Sequence, residues 1–171
     1  MDERHRALTP AVAGSYREAA AVCLNRHHAS PVQVTLSDNG NESLADLMWP
    51  APDKRTLAAW ANTTDTTEAG AYACVLAGVE ELRGLVAVRR AETGTGADYY
   101  VGPPGAGEND LEDCVRLEVS GADGGDYRYV ANRLLQKVSQ ARSGHSSLPA
   151  LAGVIGFSAL LLMFRDVMDT V

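Results

Sequence analysis

The chain has 171 residues, of which 46% are hydrophobic and 22% are charged, and its formal net charge is −7. Its length and composition are typical of one globular domain, or of a core domain with a short extension. The negative charge disfavours a protein whose whole surface binds nucleic acid non-specifically, because such surfaces are basic. Basic residues are nevertheless frequent in the second half of the chain, so the sequence is compatible with a local basic patch.

Cysteine usage and the N-terminus indicate the compartment. Cys23, Cys74 and Cys114 form no CxxC pair and have no metal-ligand spacing, so we expect small buried side chains in a reducing environment. No apolar run follows residues 1–6, so we expect no signal peptide. The sequence therefore predicts a cytoplasmic protein.

Residues 1–64 predict an N-terminal helix-strand extension. Thr9 is expected to cap a helix that has Pro10 at its first position. Apolar spacing and turn residues then predict, in order, a helix over 10–26, a strand over 31–36, a turn over 37–41, a strand or short helix over 44–49, and a short helix over 53–62.

Residues 65–171 predict the core, which ends in an apolar C-terminal segment. The predicted elements are a helix over 65–82, strands over 85–90, 98–101 and 115–120, a helix over 126–142, and a strand over 151–157. An exposed Gly- and Pro-rich loop is expected at 102–110. The order α-β-β-β-α-β predicts an α/β fold with a mixed sheet and helices on both of its sides.

The uncharged segment 148–164 requires a choice between a membrane helix and a buried segment. As a helix it would span about 25 Å, which is short of the ~30 Å hydrocarbon core. Gly153 and Gly156 also divide the segment. We therefore expect residues 154–157 to form a buried strand, the remainder to pack on the core, and no membrane association.

Two of the predicted strands each contain one carboxylate. Glu118 and Ser120 share one face of their strand, because strand side chains alternate. If Asp98 on the preceding strand faces the same side, Asp98 and Glu118 form a pair that binds Mg²⁺ or Mn²⁺ through oxygen and leaves water positions for chemistry. The structural alternative is a salt-bridged Glu118 on a solvated face and an Asp98 that caps the Gly-rich turn.

Glu68 is a third candidate metal ligand. Asp65 and Glu68 fit a capping box at the start of the predicted helix, which would make both residues structural. The helical wheel, however, places Glu68 within the arc of the apolar face and predicts that it points towards the sheet. A carboxylate on a buried face needs a metal or a cation as its partner.

Over residues 65–157 the element order, together with Glu68, Asp98 and Glu118-Val119-Ser120, resembles the PD-(D/E)XK nuclease-like superfamily. The resemblance implies a restriction-endonuclease-like core that cuts DNA or RNA with Mg²⁺ or Mn²⁺. It implies Glu68, Asp98 and Glu118 as metal ligands. The chain also resembles a group of uncharacterised bacterial proteins with Thr-Glu-x-Gly-Ala, Gly-Thr-Gly-x-Asp-Tyr and Arg-Leu-Glu-Val-Ser-Gly segments.

The sequence departs from that family at Ser120, where the family pattern has lysine. The lysine is expected to orient water and to stabilise charge in the transition state. Some branches carry the lysine on the following helix, and Lys137 is the candidate here. Lys137 lies at the border of the apolar face of its helix, where it either leans over the sheet or extends to solvent. The candidate catalytic residues are therefore Asp98, Glu118, Ser120 and Lys137.

Two functions remain open at this point. One is a metal-dependent phosphodiester hydrolase of a bacterial defence or toxin-type system, with nucleic acid as substrate. The other is a catalytically inactive nuclease-like fold that binds a protein partner, or a second copy of itself, within a larger complex. The embedded carboxylates favour the first, whereas the missing lysine and the net charge of −7 favour the second.

Overall fold

The structure is a computed structural model, described over residues 1–107, 111–144 and 146–167. Residues 108–110 of the predicted 102–110 loop lie outside the described residues. The helices are α1 (Pro10–His27), α2 (Lys54–Ala59), α3 (Thr63–Arg83) and α4 (Tyr127–Arg142). The strands are β1 (Val32–Asp38), β2 (Asn41–Leu47), β3 (Val86–Arg90), β4 (Tyr99–Gly102), β5 (Val115–Ala122), β6 (Ala150–Gly156) and β7 (Leu161–Val167).

All seven strands form one mixed sheet in the order β2-β1-β7-β6-β5-β4-β3. The pairs β1–β7 and β5–β6 are parallel and the other neighbours are antiparallel. The predicted order α-β-β-β-α-β is confirmed by α3, β3, β4, β5, α4 and β6. The predicted α/β class with a mixed sheet is therefore confirmed.

The N-terminal strands form a hairpin at one edge of the sheet. Asn39 and Gly40 make its two-residue turn with φ values of 51° and 89°, as a tight Asn-Gly hairpin requires. Residues 44–49, which fitted a strand or a short helix, mostly belong to β2. The hairpin joins the core through β1, which pairs with β7 near the C-terminus.

The C-terminal apolar segment holds two strands instead of one. β6 covers the predicted strand at 151–157 almost completely, and β7 follows after a four-residue turn that includes Leu160 at φ 47°. β7 pairs with β6 on one side and with β1 on the other, so it completes the sheet. No helix among the described residues has the length and apolarity needed to cross a membrane.

Helices cover both faces of the sheet. α1 and α3 pack on one face, where Val75, Leu117 and Phe164 contribute to the larger core cluster. α4 packs on the other face through its buried Val130, Leu134 and Val138. Alternation along β5 then places Leu117 and Val119 towards α3, and leaves Glu118 and Ser120 on the α4 face.

The start of α3 differs from the predicted capping box. Asn62, rather than Asp65, is the N-cap, and its side-chain oxygen accepts hydrogen bonds from the N–H groups of Thr64 and Asp65. The helix therefore begins two residues earlier than expected. Thr9 caps α1 as predicted, by accepting a hydrogen bond from the N–H of Val12.

Candidate functional site

A pocket of about 520 Å³ opens where β5 extends beyond the start of β4. Tyr99 pairs with Leu117, and β4 provides no strand partner to the following residues of β5. α3 borders the pocket from one side and α4 from the other. We call it the Asp98–Glu118 pocket. Its lining residues are Thr63, Thr64, Thr67, Glu68, Tyr72, Asp98, residues 118–123, Tyr129, Arg133 and Lys137.

The close approach of α3 to β5 depends on Gly121. A Cβ atom at this position would lie 2.8 Å from the backbone oxygen of Thr67 and 3.0 Å from the Cβ of Ala71. The absence of a side chain on Gly121 lets the first turns of α3 lie directly against β5. These turns carry Thr67 and Glu68 to the wall of the Asp98–Glu118 pocket.

Asp98 lies just before β4, and its carboxylate occupies the place of the missing strand partner. Its Oδ2 accepts a hydrogen bond of 2.8 Å from the backbone N–H of Val119, and its Oδ1 accepts one of 2.8 Å from the Tyr72 hydroxyl. A carboxylate has about four lone-pair sites, so Asp98 retains acceptor capacity towards the pocket. Asp98 and Glu118, which the sequence suggested as a carboxylate pair, both line this pocket.

Glu118 faces α4, where Lys137 reaches it. The distance between Lys137 Nζ and Glu118 Oε1 is 2.7 Å, and both side chains are largely buried. Burial raises the pKa of Glu118, the hydrogen bond from Lys137 opposes this increase, and the charge of Asp98 adds to it. Lys137 thus leans over the sheet, which was one of the two orientations open from the sequence.

Glu68 lines the Asp98–Glu118 pocket but is exposed, so the prediction that it points onto the sheet is wrong. The helical wheel predicted the direction of the Glu68 side chain, but it did not show that a pocket lies in that direction. At the first turns of α3 that direction meets the open pocket, whereas Val75 and Val79 further along meet the core. Glu68 is therefore a rim residue, on the same pocket as Asp98 and Glu118.

Ser120 is buried and accepts a hydrogen bond of 2.7 Å from Arg133 Nε. Arg133 and Lys137 are one helical turn apart on α4, about 6 Å, and Glu118 and Ser120 are two residues apart on β5, about 6.6 Å. Because these two spacings are similar, two cations on the helix can each contact one of two neighbouring side chains on the strand. The spacing of Arg133 and Lys137 was the sequence signal for this pairing.

Arg90 and Tyr72 also belong to the site, and sequence reasoning missed both. The Arg90 guanidinium lies 4.5 Å from the centre of the Tyr72 ring and 4.6 Å from that of Tyr99. Arg90 Nη2 donates to the Tyr72 hydroxyl at 2.9 Å and lies 3.5 Å from Asp98 Oδ1. A bulge between Ala87 and Arg89 shifts the strand register and puts Arg90 across from Tyr99.

Comparison with family models, with curated proteins and with solved structures finds no match to this chain. Within the described parts of the chain, no group of three His, Cys, Asp or Glu side chains is placed to hold a metal ion. Asp98 and Glu118 nevertheless provide the hard oxygen donors that Mg²⁺ prefers, and Mg²⁺ is commonly held by one or two carboxylates plus water.

Proposed function

We propose that this protein is a Mg²⁺- or Mn²⁺-dependent phosphodiester hydrolase, a nuclease of the PD-(D/E)XK type. The observation that carries the proposal is the convergence of Asp98, Glu118 and Lys137 on one pocket, with Lys137 reaching Glu118 from α4. The order of elements from α3 to β6 adds support. The proposal includes a cytoplasmic location and a role in a bacterial defence or toxin-type system.

Asp98 and Glu118 are the proposed metal ligands, whereas Glu68 lies on the rim of the pocket and forms no group of three with them in the described part of the chain. Oxygen donors in a polar pocket of about 520 Å³ suit a hard divalent cation that keeps several water ligands. When bound, such an ion positions a water molecule and lowers its pKa for attack on phosphorus.

The other residues of the site act on charge and position. Lys137 provides the positive charge that stabilises the developing negative charge of the phosphoryl oxygens. Because this charge comes from α4, Ser120 on β5 does not need to supply it. Tyr72 and the N–H of Val119 hold the carboxylate of Asp98 in place through their hydrogen bonds.

A cleavage assay tests the proposal. Purified protein is incubated with single-stranded and duplex DNA and RNA in Mg²⁺, Mn²⁺ or EDTA, and the products are resolved on a gel. We expect metal-dependent cleavage that Glu118→Gln abolishes. Asp65→Asn is the matched control, because Asp65 lies on α3 outside the pocket lining. Cleavage that persists in EDTA or in Glu118→Gln would contradict the assignment.

One observation favours the alternative of an inactive protein-binding subunit. Arg90 lies 3.5 Å from Asp98 Oδ1, Lys137 is paired with Glu118, and Arg133 donates a hydrogen bond to Ser120 Oγ. Cations therefore already contact three of the candidate residues. In this alternative the carboxylates are structural and the protein acts through a partner or a second copy. A folded wild type that cleaves no nucleic acid and binds neither cation would support it.

A further inference from the structure

The helix α4, which borders the pocket, is more basic than the chain as a whole. α4 contains Arg128, Arg133, Lys137 and Arg142 but no Asp or Glu, whereas the whole chain has a net charge of −7. Among the residues that the structure describes, Lys137 is paired with Glu118, while Arg133 forms no ion pair. The charge of Arg133 is therefore not neutralised by a neighbouring carboxylate of this part of the chain.

Arg133 is held so that its charge faces the pocket. Its Nε donates to Ser120 Oγ at 2.7 Å, and this contact fixes the plane of the guanidinium against β5. Arg133 also lines the Asp98–Glu118 pocket. The terminal nitrogens of a guanidinium form a planar fork that suits phosphate oxygens. Arg133 lies at the wall of the pocket and uses its Nε for the hydrogen bond to Ser120. Its terminal nitrogens are thus suited to bind a phosphate group.

Tyr129 lies one turn before Arg133 on the same side of α4 and also lines the pocket. Its ring packs against Gly125, where a Cβ atom would lie 2.7 Å from the ring. About half of the side chain remains exposed, at 51%. An aromatic ring supported on one side and exposed beside a cationic group is the arrangement on which unpaired bases stack.

We propose that Tyr129 and Arg133 bind one unpaired nucleotide of the substrate, Tyr129 by stacking on the base and Arg133 by binding a phosphate. This inference rests on the proposed nuclease function and specifies its substrate as single-stranded nucleic acid. A base within an intact duplex is stacked on both faces, so it presents no free face to Tyr129. Tyr129 and Arg133 are substrate-positioning residues in this arrangement, and the chemistry remains with Asp98, Glu118 and Lys137.

Binding measured in EDTA tests the inference without requiring cleavage. The probes are fluorescein-labelled oligo(dT) and oligo(U) of about 12 nucleotides and a duplex of the same length, read by fluorescence anisotropy. We expect the single strands to bind more tightly than the duplex. Tyr129→Ala should weaken single-strand binding about fivefold or more, while Tyr129→Phe should retain it because the stacking ring remains.

Charge variants on α4 complete the test. Arg133→Gln should weaken binding and reduce the salt slope by about 0.7, the value for one phosphate contact on a single strand. Arg128→Gln removes the same charge from an exposed position outside the pocket lining, and it should leave the affinity nearly unchanged. Equal losses in Arg128→Gln and Arg133→Gln, or equal binding of duplex and single strand, would overturn the inference.

The nucleotide-binding site and the hydrolase activity can be refuted independently of each other. Single-strand binding that depends on Tyr129 and Arg133, without cleavage in Mg²⁺ or Mn²⁺, would refute the hydrolase and keep the binding site. Cleavage that is unaffected by Tyr129→Ala and Arg133→Gln would keep the hydrolase and refute the binding site.

Discussion

The two ends of α3 carry clusters of carboxylates and cations that differ in one respect. At the C-terminal end, Arg83 donates to both oxygens of Asp38 and to Asp166 at 2.7 Å, so one cation joins two carboxylates. At the N-terminal end, Asp98 and Glu118 lie around a pocket of about 520 Å³. The same types of residue therefore serve two purposes. The Arg83 cluster joins elements of the fold, whereas the carboxylates of the second cluster, although Glu118 is paired with Lys137, also face a cavity that a ligand can enter.

Lys137→Met should have the largest effect on cleavage at the Asp98–Glu118 pocket. It removes the proposed transition-state charge, so we expect the rate of cleavage to fall about a hundredfold or more. The free energy of unfolding should also fall, by about 2 kcal/mol, because methionine keeps most of the aliphatic stem but leaves Glu118 without its cation. Gln136→Met is the control on the exposed side of α4 and should leave the rate unchanged. A rate that is retained in Lys137→Met would remove lysine from the mechanism.

Arg83→Met should lower the stability while leaving the rate of cleavage unchanged. Asp38 and Asp166 lose their shared cation, and we expect the free energy of unfolding to fall by about 2 kcal/mol. Urea denaturation measures this change through the midpoint. Cleavage at saturating substrate should be retained, since Arg83 lies at the far end of α3. A strong loss of cleavage in a variant that is still folded would connect the two ends of the helix and contradict the comparison.

Tyr72→Phe tests whether Asp98 depends on its hydrogen bonds. The variant removes the hydroxyl that donates to Asp98 Oδ1 while the ring remains in contact with Arg90. Partners of metal ligands typically contribute about tenfold or more to affinity, so we expect Mn²⁺ binding to weaken by at least that factor. Isothermal titration measures it, and Tyr16→Phe serves as the control, because it removes a hydroxyl that contacts Tyr99 rather than Asp98. Equal Mn²⁺ affinities of Tyr72→Phe and Tyr16→Phe would show that the hydrogen bond from the N–H of Val119 is sufficient to hold Asp98 in place.

His5 should give a smaller, pH-dependent effect away from both clusters. It is fully buried, its Nδ1 accepts the N–H of Ala87 at 3.0 Å, and its Nε2 contacts Glu80 at 3.0 Å. Burial lowers the pKa of His5, although the hydrogen bond to Glu80 opposes this. The unfolded chain then binds the proton more readily than the folded one. The stabilisation is present above the unfolded pKa, near 6.5, and is lost as the pH falls.

Urea midpoints at pH values of about 7.5 and 5.5 measure this loss. A single group contributes at most about 1.4 kcal/mol per pH unit. His5→Gln should flatten the dependence in this window. An unchanged pH dependence in His5→Gln would assign the effect to another group.

The sequence predicted the order of the core elements because their signals are local. Helical spacing and strand alternation identified α3, β4, β5 and α4. β7 was missed because residues 148–164 carry no charge and have Ser158 as their one polar side chain, so periodicity does not divide the segment into two strands. The Asn-Gly pair before β2 was a signal for a hairpin that was not used fully.

Side-chain direction was less predictable than the elements. The wheel placed Lys137 at a border, where a long stem can turn either way, and only packing of α4 on β5 decides its direction. Arg90 faces the site because of a bulge, which alternation does not reveal. Glu68 points in the direction that the helical wheel predicted, but a pocket lies there instead of the sheet.

Calorimetric titration of Mn²⁺ into the wild type and into the Asp98→Ala/Glu118→Ala variant tests the central claim most directly. We predict binding to the wild type and none to the double variant, with both proteins folded by circular dichroism. Absence of binding to the folded wild type, or unchanged binding in the double variant, would contradict a metal site in the Asp98–Glu118 pocket.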